Sequence, residues 1–146
     1  MIRKIDHTII VVRNLEQAVA KFKKLLHVAP EDGGFVAELP KFKVAMFPFI
    51  GGNRVELIEP KMNVESRFRT FLQERGEGAM AVSIFVDGYE AQVADLKANG
   101  FVVEEEVQKD LFPDKPFRMA WVPPSEAHGL WVEFAPIEDL PDFEKP

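Results

Sequence analysis

The chain has 146 residues, of which 47% are hydrophobic, with a net charge of −6 at pH 7 and no cysteine. This composition predicts a folded chain with an apolar core, and it excludes disulfides, thiolate metal sites and a cysteine nucleophile. We find no basic stripe, no signal-peptide core and no apolar run long enough to cross a bilayer. Nucleic acid and membranes are therefore not expected partners, and the predicted location is the cytoplasm.

The first half of the chain predicts a strand, a helix and three further strands. The β-branched run IDHTIIVV at residues 5–12 indicates the first strand. Apolar residues at helical spacing then follow Asn14, a residue type that caps helix N-termini. The three further strands are predicted at residues 35–39, 43–49 and 54–59, with a tight turn through Gly51-Gly52-Asn53 before the last of them.

The second half repeats this order after a helix predicted at residues 64–75, which we interpret as a connector. A strand at 80–86 is followed by a helix at 89–99, which Gly100 ends. The remaining strands are predicted at residues 101–107, 117–122 and 130–134. The acidic, proline-containing tail at 137–146 is expected to be an extended arm on the surface.

The two halves can be superposed on each other as an internal repeat. Val19 and Val93 are 74 residues apart, and Glu56 and Glu133 are 77 apart, a difference that the long loop at 109–116 accommodates. Under this superposition His7 falls on Ala81. The sequence therefore predicts one α+β domain over residues 1–146, built from βαβββ modules at 3–60 and 78–136.

Four stretches carry a resemblance to a known family. They are IDHTIIV at 5–11, GGNRVELIEP at 51–60, GEG at 76–78 and HGLWVEF at 128–134. In this order they resemble the vicinal-oxygen-chelate superfamily, which includes glyoxalase I, methylmalonyl-CoA epimerase, extradiol dioxygenases and the bleomycin and fosfomycin resistance proteins. Among the members of this superfamily, the residues of these stretches are most similar to those of methylmalonyl-CoA epimerases and glyoxalase I-like proteins. The resemblance implies a glyoxalase-like fold in which the modules form a cupped mixed sheet, and a homodimer.

The resemblance also implies a divalent metal, Zn, Ni, Co, Mn or Mg, held by His7, Glu56 and Glu133. The position of the fourth family ligand holds Ala81, which has no donor, and the additional glutamate of the epimerases falls near Val44. Without a metal, His7 would be a strand histidine bonded to a neighbour, and both glutamates would be edge-strand acids that reach solvent. An extradiol dioxygenase is disfavoured, because its iron site needs a second histidine where Ala81 stands.

Side chains two residues from a ligand share its face of a strand, and this alternation predicts the lining of a substrate pocket. The predicted pocket residues are Ile9, Arg54, Ser83, Phe85 and Trp131. A mostly apolar lining suits a small organic acid or an acyl thioester. The first function hypothesis is an isomerase or lyase that works through an enolate or enediolate, with Glu133 or Glu56 as the catalytic base. The alternative is a metal-free small-molecule binding protein of the bleomycin-resistance type, and a domain that has lost its ligand is a third possibility.

Two further histidines and a second arginine are candidates for a functional role. His27 at a helix end and His128 in a hairpin are predicted to be structural. Arg118 is predicted beside the pocket-lining strands, where its guanidinium either holds a substrate carboxylate or phosphate or lies on the surface.

Overall fold

The computed structural model describes residues 1–112 and 114–140, and the chain divides into two compact units. The N-terminal unit is His7–Met80. The C-terminal unit combines Met1–Asp6 with the described residues from Ala81 onward. In the part of the chain that the structure describes, no helix is long and apolar enough to cross a membrane.

The N-terminal unit is a mixed sheet with helices, and its strands follow the predicted order. Its elements are β1 (Ile2–Val11) from His7 onward, α1 (Leu15–Leu26), β2 (Phe35–Glu38), β3 (Phe42–Pro48), β4 (Arg54–Pro60) and α2 (Arg67–Arg75). In space the strand order is β2-β3-β4-β1. Strands β1 and β4 are parallel, whereas β3 is antiparallel to both β2 and β4.

Helix α1 has the predicted cap and buries an apolar face. The Asn14 side chain accepts a hydrogen bond from the backbone N–H of Gln17 at 2.9 Å, which satisfies a donor of the first turn. The helix ends at His27, which adopts the left-handed conformation at φ 55°. The buried side chains of this core are Val12, Leu15, Ala45, Phe47 and Leu57, with Phe22 of the helix packed against them. One face of the sheet is therefore occupied by α1.

Helix α2 starts three residues later than the sequence predicts. The hydroxyl of Ser66 accepts a hydrogen bond from the backbone N–H of Arg69 at 3.1 Å, so that the helix begins at Arg67. Its buried face includes Phe68, whose ring meets the ring of Phe42 edge-on at 5.1 Å between centroids. The predicted connector is thus a short helix that packs against β3 and β4.

The loop before β2 approaches the backbone of β3 closely. Gly34 donates its N–H to the carbonyl of Pro30 at 2.8 Å. A Cβ added at Gly34 would lie 1.9 Å from the carbonyl oxygen of Met46. No side chain fits there, and glycine at this position allows the two backbone segments to pack against each other.

The C-terminal unit repeats the same arrangement. Its elements are β5 (Gly78–Val86) from Ala81 onward, α3 (Tyr89–Ala98), β6 (Glu104–Gln108), β7 (Phe117–Val122) and β8 (Trp131–Pro136), in the spatial order β5-β8-β7-β6. The buried core against α3 comprises Val86, Tyr89, Val93, Ala120, Val122 and Phe134. Strand β6 lies at the edge of this order and carries three consecutive acids, Glu104-Glu105-Glu106.

Strand register confirms the internal repeat at the level of single residues. In the N-terminal unit Ile9 lies opposite Glu56, and in the C-terminal unit Ser83 lies opposite Glu133. Two residues earlier on each first strand, His7 pairs with Arg54 and Ala81 pairs with Trp131. His7 and Ala81 are therefore equivalent, as the sequence predicts, and the α+β fold built from two βαβββ modules is confirmed.

The start of the C-terminal tail differs from its prediction as an extended surface arm. Ile137–Asp139 forms a turn of 3-10 helix, and the side chain of Leu140 is buried. Lys115 donates to the carbonyl of Glu138 at 2.6 Å. The prediction is wrong for residues 137–140, because an apolar side chain there finds a site in the folded unit that local sequence does not reveal. Residues 141–146 lie outside the described part of the chain.

Candidate functional site

His7 and Glu56 form a pair on one face of the N-terminal sheet. Because His7 lies opposite Arg54 across the parallel strands β1 and β4, Glu56 is the next residue along β4 on the same face. His7 Nε2 lies 3.6 Å from Glu56 Oε2. His7 is 8% exposed, and the side chain of Glu56 is 13% exposed. The structure thus brings together an imidazole and a carboxylate with little access to water, both of which are ligands for divalent metals.

The surroundings of this pair are apolar. The same face carries Ile9, Val44, Met46 and Ile58, all of them buried. Val44 is the residue near which the epimerase glutamate would fall, and it lies opposite Ile58. Charge on Glu56 is poorly screened in such surroundings, so a positive partner there interacts with it more strongly than at a surface.

Glu133 is held by a hydroxyl in the C-terminal unit. Ser83 Oγ donates a hydrogen bond to Glu133 Oε1 at 2.5 Å, across the β5–β8 register. Ser83 is 0% exposed and Glu133 is 4% exposed. This distance is typical of an O–H group that donates to a charged oxygen. The interpretation of Glu133 as an edge-strand acid that reaches solvent is therefore wrong, since β8 lies between β5 and β7.

Within residues 1–112 and 114–140, no group of three or more His, Cys, Asp or Glu side chains is placed to hold a metal ion. Two of the three predicted ligands, His7 and Glu56, lie together as a pair. Glu133 makes its hydrogen bond with Ser83 in the other unit. The role of all three residues as metal ligands stays a prediction.

The predicted pocket residues divide between the two units. Ile9 belongs to the N-terminal unit and is buried, while Arg54 on the same face is half-buried. In the C-terminal unit Ser83 and Phe85 are buried and Trp131 is half-buried. Their contact with a substrate stays a prediction.

Trp121 is a neighbour of Glu133 that sequence reasoning missed. It lies opposite Glu133 in the β7–β8 register and is almost fully buried. Its ring meets that of Trp131 edge-on at 6.1 Å between centroids. The alternation of Trp121 and Met119 along β7 carried the signal, but the register that brings Trp121 to Glu133 cannot be read from one strand.

Arg118 lies on the face of β7 opposite to Trp121, and its guanidinium is hydrogen-bonded to acidic side chains. Its Nε and Nη2 donate to Asp139 at 2.7 and 2.9 Å, and Nη1 donates to Glu90. The guanidinium lies 5.0 Å from the ring centre of Tyr89 on α3. Burial opposes ionisation of Asp139, yet its hydrogen bonds with Arg118 hold its pKa below the usual range. Burial and the nearby Glu105 carboxylate raise the pKa of Tyr89 to about 12. Of the two alternatives for Arg118, this pairing with acids favours the one in which its guanidinium does not hold a substrate.

The two remaining histidines have backbone roles, as the sequence predicts. His27 and His128 have φ angles of 55° and 54°, which non-glycine residues adopt mainly in caps and turns. His27 ends α1, and His128 lies in the turn region between β7 and β8.

Replacing Ala81 with histidine tests the equivalence of the two first strands. Ala81 is 0% exposed, so the larger imidazole is expected to lower the free energy of unfolding by about 1–3 kcal/mol. The new side chain would create in the C-terminal unit the His–Glu pair of the N-terminal unit. Added Ni²⁺ should therefore raise the melting temperature of Ala81→His more than that of the wild type. A melting temperature that falls and does not recover with metal would contradict this equivalence at the level of side chains.

Comparisons with known proteins bear on the fold and the family. Solved structures of similar fold include the following three. Methylmalonyl-CoA epimerase from Mycobacterium tuberculosis matches with a TM-score of 0.77 and 19% identity, over 92% of this chain and 88% of that chain. A hypothetical protein from Bacillus halodurans C-125 matches with a TM-score of 0.71 and 27% identity, over 91% of this chain and 93% of that chain. A variant of Streptomyces coelicolor methylmalonyl-CoA epimerase in complex with 2-nitronate-propionyl-CoA matches with a TM-score of 0.77 and 19% identity, over 93% of this chain and 95% of that chain. A search of curated proteins finds no match. The family model described as the glyoxalase/bleomycin resistance protein/dioxygenase superfamily matches residues 6–117. The chain therefore belongs to the glyoxalase/bleomycin resistance protein/dioxygenase superfamily.

Proposed function

We propose that this chain is an isomerase of the epimerase type, which moves a proton at the carbon next to a carbonyl group. The substrate would be a small organic acid or an acyl thioester. The observation that carries the proposal is an arrangement of side chains that occurs in both units. In each unit a glutamate of the last strand, Glu56 or Glu133, lies mostly buried beside a polar side chain of the first strand. The fold shared with methylmalonyl-CoA epimerases supports the same reaction class.

The donor set of the N-terminal unit fits a divalent metal. His7 and Glu56 supply an imidazole nitrogen and a carboxylate oxygen 3.6 Å apart, and two such atoms can bind one ion. A bound ion would stabilise the negative charge that builds on a carbonyl oxygen during proton abstraction. His7 and Glu56 would hold it, and Glu133 is the third ligand that the family resemblance implies.

Proton transfer is assigned to the buried carboxylates. A carboxylate within hydrogen-bond reach of an acidic carbon can accept its proton and return it. Val44 is where the additional glutamate of the epimerases falls, so the assignment goes to Glu133 and Glu56. The apolar residues that surround Glu56, among them Ile9 and Ile58, exclude water and suit a substrate with hydrocarbon character.

Metal titration tests the first part of the proposal. We expect metal-free wild type to bind Ni²⁺, Co²⁺, Zn²⁺ or Mn²⁺ in calorimetry, and His7→Ala and Glu56→Gln to weaken this binding by about tenfold or more, because each removes a donor. The matched control is His27→Asn, since asparagine tolerates the left-handed conformation that His27 adopts. Absence of uptake by the wild type at micromolar metal would exclude the metal-dependent form.

A metal-free binding protein of the bleomycin-resistance type is the second candidate. Ala81 favours it, because the family's fourth ligand is replaced by a buried side chain without a donor. Exchange of the α-proton of methylmalonyl-CoA with deuterated solvent discriminates the two candidates. An isomerase exchanges the proton with or without net turnover, whereas a binding protein leaves it in place.

A further inference from the structure

Ser83 is a buried polar residue of β5, whereas Ala81 and Phe85 on the same face of that strand are apolar. Its side chain has no exposed surface, and its hydroxyl donates to Oε1 of Glu133 at 2.5 Å. A buried carboxylate is costly unless hydrogen bonds and charges compensate for the loss of water. The Ser83 hydroxyl supplies such a bond, because Ser83 lies directly opposite Glu133 on the neighbouring strand.

Comparison of the two units shows that this hydroxyl replaces a different partner. In the N-terminal unit the residue opposite Glu56 is Ile9, which has no polar group, and the polar partner is His7, two residues earlier. In the C-terminal unit the equivalent of His7 is Ala81, and the equivalent of Ile9 is Ser83. The polar partner has therefore moved two residues along the first strand, from an imidazole to a hydroxyl.

The replacement of the imidazole by a hydroxyl gives Glu133 a different chemical environment from that of Glu56. An imidazole beside Glu56 can share a metal or a proton with it. A serine hydroxyl has neither a free charge nor a titration near neutral pH, and its short side chain holds the acceptor within a narrow range of positions. We propose that Ser83 is a positioning residue for Glu133, and that it fixes the carboxylate through Oε1. This inference rests on the proposed role of Glu133 in proton transfer, where a displacement of about 1 Å can lower the rate by about 100-fold.

Three substitutions of Ser83 separate positioning from packing. Ser83→Ala removes the hydroxyl, Ser83→Cys keeps a side chain of similar size with a weak donor, and Ser83→Thr keeps the hydroxyl. With methylmalonyl-CoA as the probe, kcat for α-proton exchange is expected to fall by about 10- to 100-fold in the alanine and cysteine variants, with KM within about twofold. Ser83→Thr should recover much of kcat. Ser125→Ala, at an exposed serine of the β7–β8 turn region, is the matched control.

A crystal structure of Ser83→Ala gives a readout that does not depend on turnover. The proposal expects the Glu133 carboxylate to shift or to occupy more than one rotamer in that variant, and to keep one rotamer in the wild type. An unmoved carboxylate, or equal kcat in Ser83→Ala and Ser125→Ala, overturns the proposal.

The failure of the proposed function looks different from the failure of this inference. Unchanged exchange in Glu133→Gln would remove Glu133 from proton transfer, and with it the catalytic consequence of its position. A moving carboxylate in Ser83→Ala with full activity in Glu133→Gln would therefore contradict the proposed function and not the hydrogen bond.

Discussion

Glutamine in place of Glu133 is expected to lower kcat for α-proton exchange of methylmalonyl-CoA by about 10²- to 10⁴-fold, the range that a general base contributes. The amide keeps the shape of the side chain, and its oxygen still accepts the hydrogen bond from Ser83, but it cannot take up a proton. The free energy of unfolding should therefore change little, although Glu133 is 4% exposed. Exchange measured by NMR in deuterated buffer, beside thermal melts of both proteins, checks the two halves of this expectation.

The control for that experiment is Glu16→Gln, at an exposed acid in the first turn of α1. It makes the same chemical change at an exposed side chain and should exchange at the wild-type rate. If Glu133→Gln exchanges the proton as fast as Glu16→Gln, Glu133 is not the base. A loss confined to Glu56→Gln would assign that role to the N-terminal unit.

The second large effect is expected from Gly34→Ala. The added methyl would lie 1.9 Å from the oxygen and 2.9 Å from the carbon of the Met46 carbonyl, so that β3 or the loop would have to move. The clash is between backbone atoms, those of the loop before β2 and those of β3, and neither can yield as a flexible side chain does. We expect the free energy of unfolding to fall by about 4 kcal/mol or more, a size that point substitutions reach through a specific steric or electrostatic defect.

Gly51→Ala is the matched control for that substitution. A Cβ at Gly51 meets only the Asn53 side chain, at 3.8 Å, and its φ is not positive. Its effect is expected to stay within about 0.5 kcal/mol, as for most surface changes. Urea unfolding of both variants measures the difference. Equal midpoints would show that the approach of Gly34 to β3 does not constrain the fold.

Much of the fold could be predicted because its local signals agree with its tertiary packing. Strand β7 was predicted at 117–122 and is found there, and Asn14 caps α1 as expected. Strand β8 extends to Pro136, beyond the predicted end at 134, because Ala135 and Pro136 continue its pairing with β5. Strand β6 begins at Glu104, three residues later than predicted. Such boundaries depend on hydrogen bonds to a neighbouring strand, which no single segment encodes.

The candidate site was predictable in its residues and less so in their partners. The family resemblance selected His7 and Glu56, and the structure pairs them. Alternation assigned Ser83 to a face correctly, but it gave no means to see that the hydroxyl bonds Glu133. The side on which Arg118 lies could not be predicted, because the face of β7 is set by the register that places Trp121 opposite Glu133. Sequence periodicity predicts which residues share a face of a strand, whereas the register between strands determines which of them are in contact.

The acidic edge of the C-terminal unit has a consequence for the protein in solution. An edge strand presents unpaired backbone groups that can template strand addition by another copy. Glu104-Glu105-Glu106 on β6 place like charges along this edge, so that two copies repel each other where they would otherwise pair. Added salt screens this repulsion, because exposed charges interact only over about one Debye length. Resistance to self-association is thus tied to the charge of one strand, and high salt favours the pairing of folded copies along this edge.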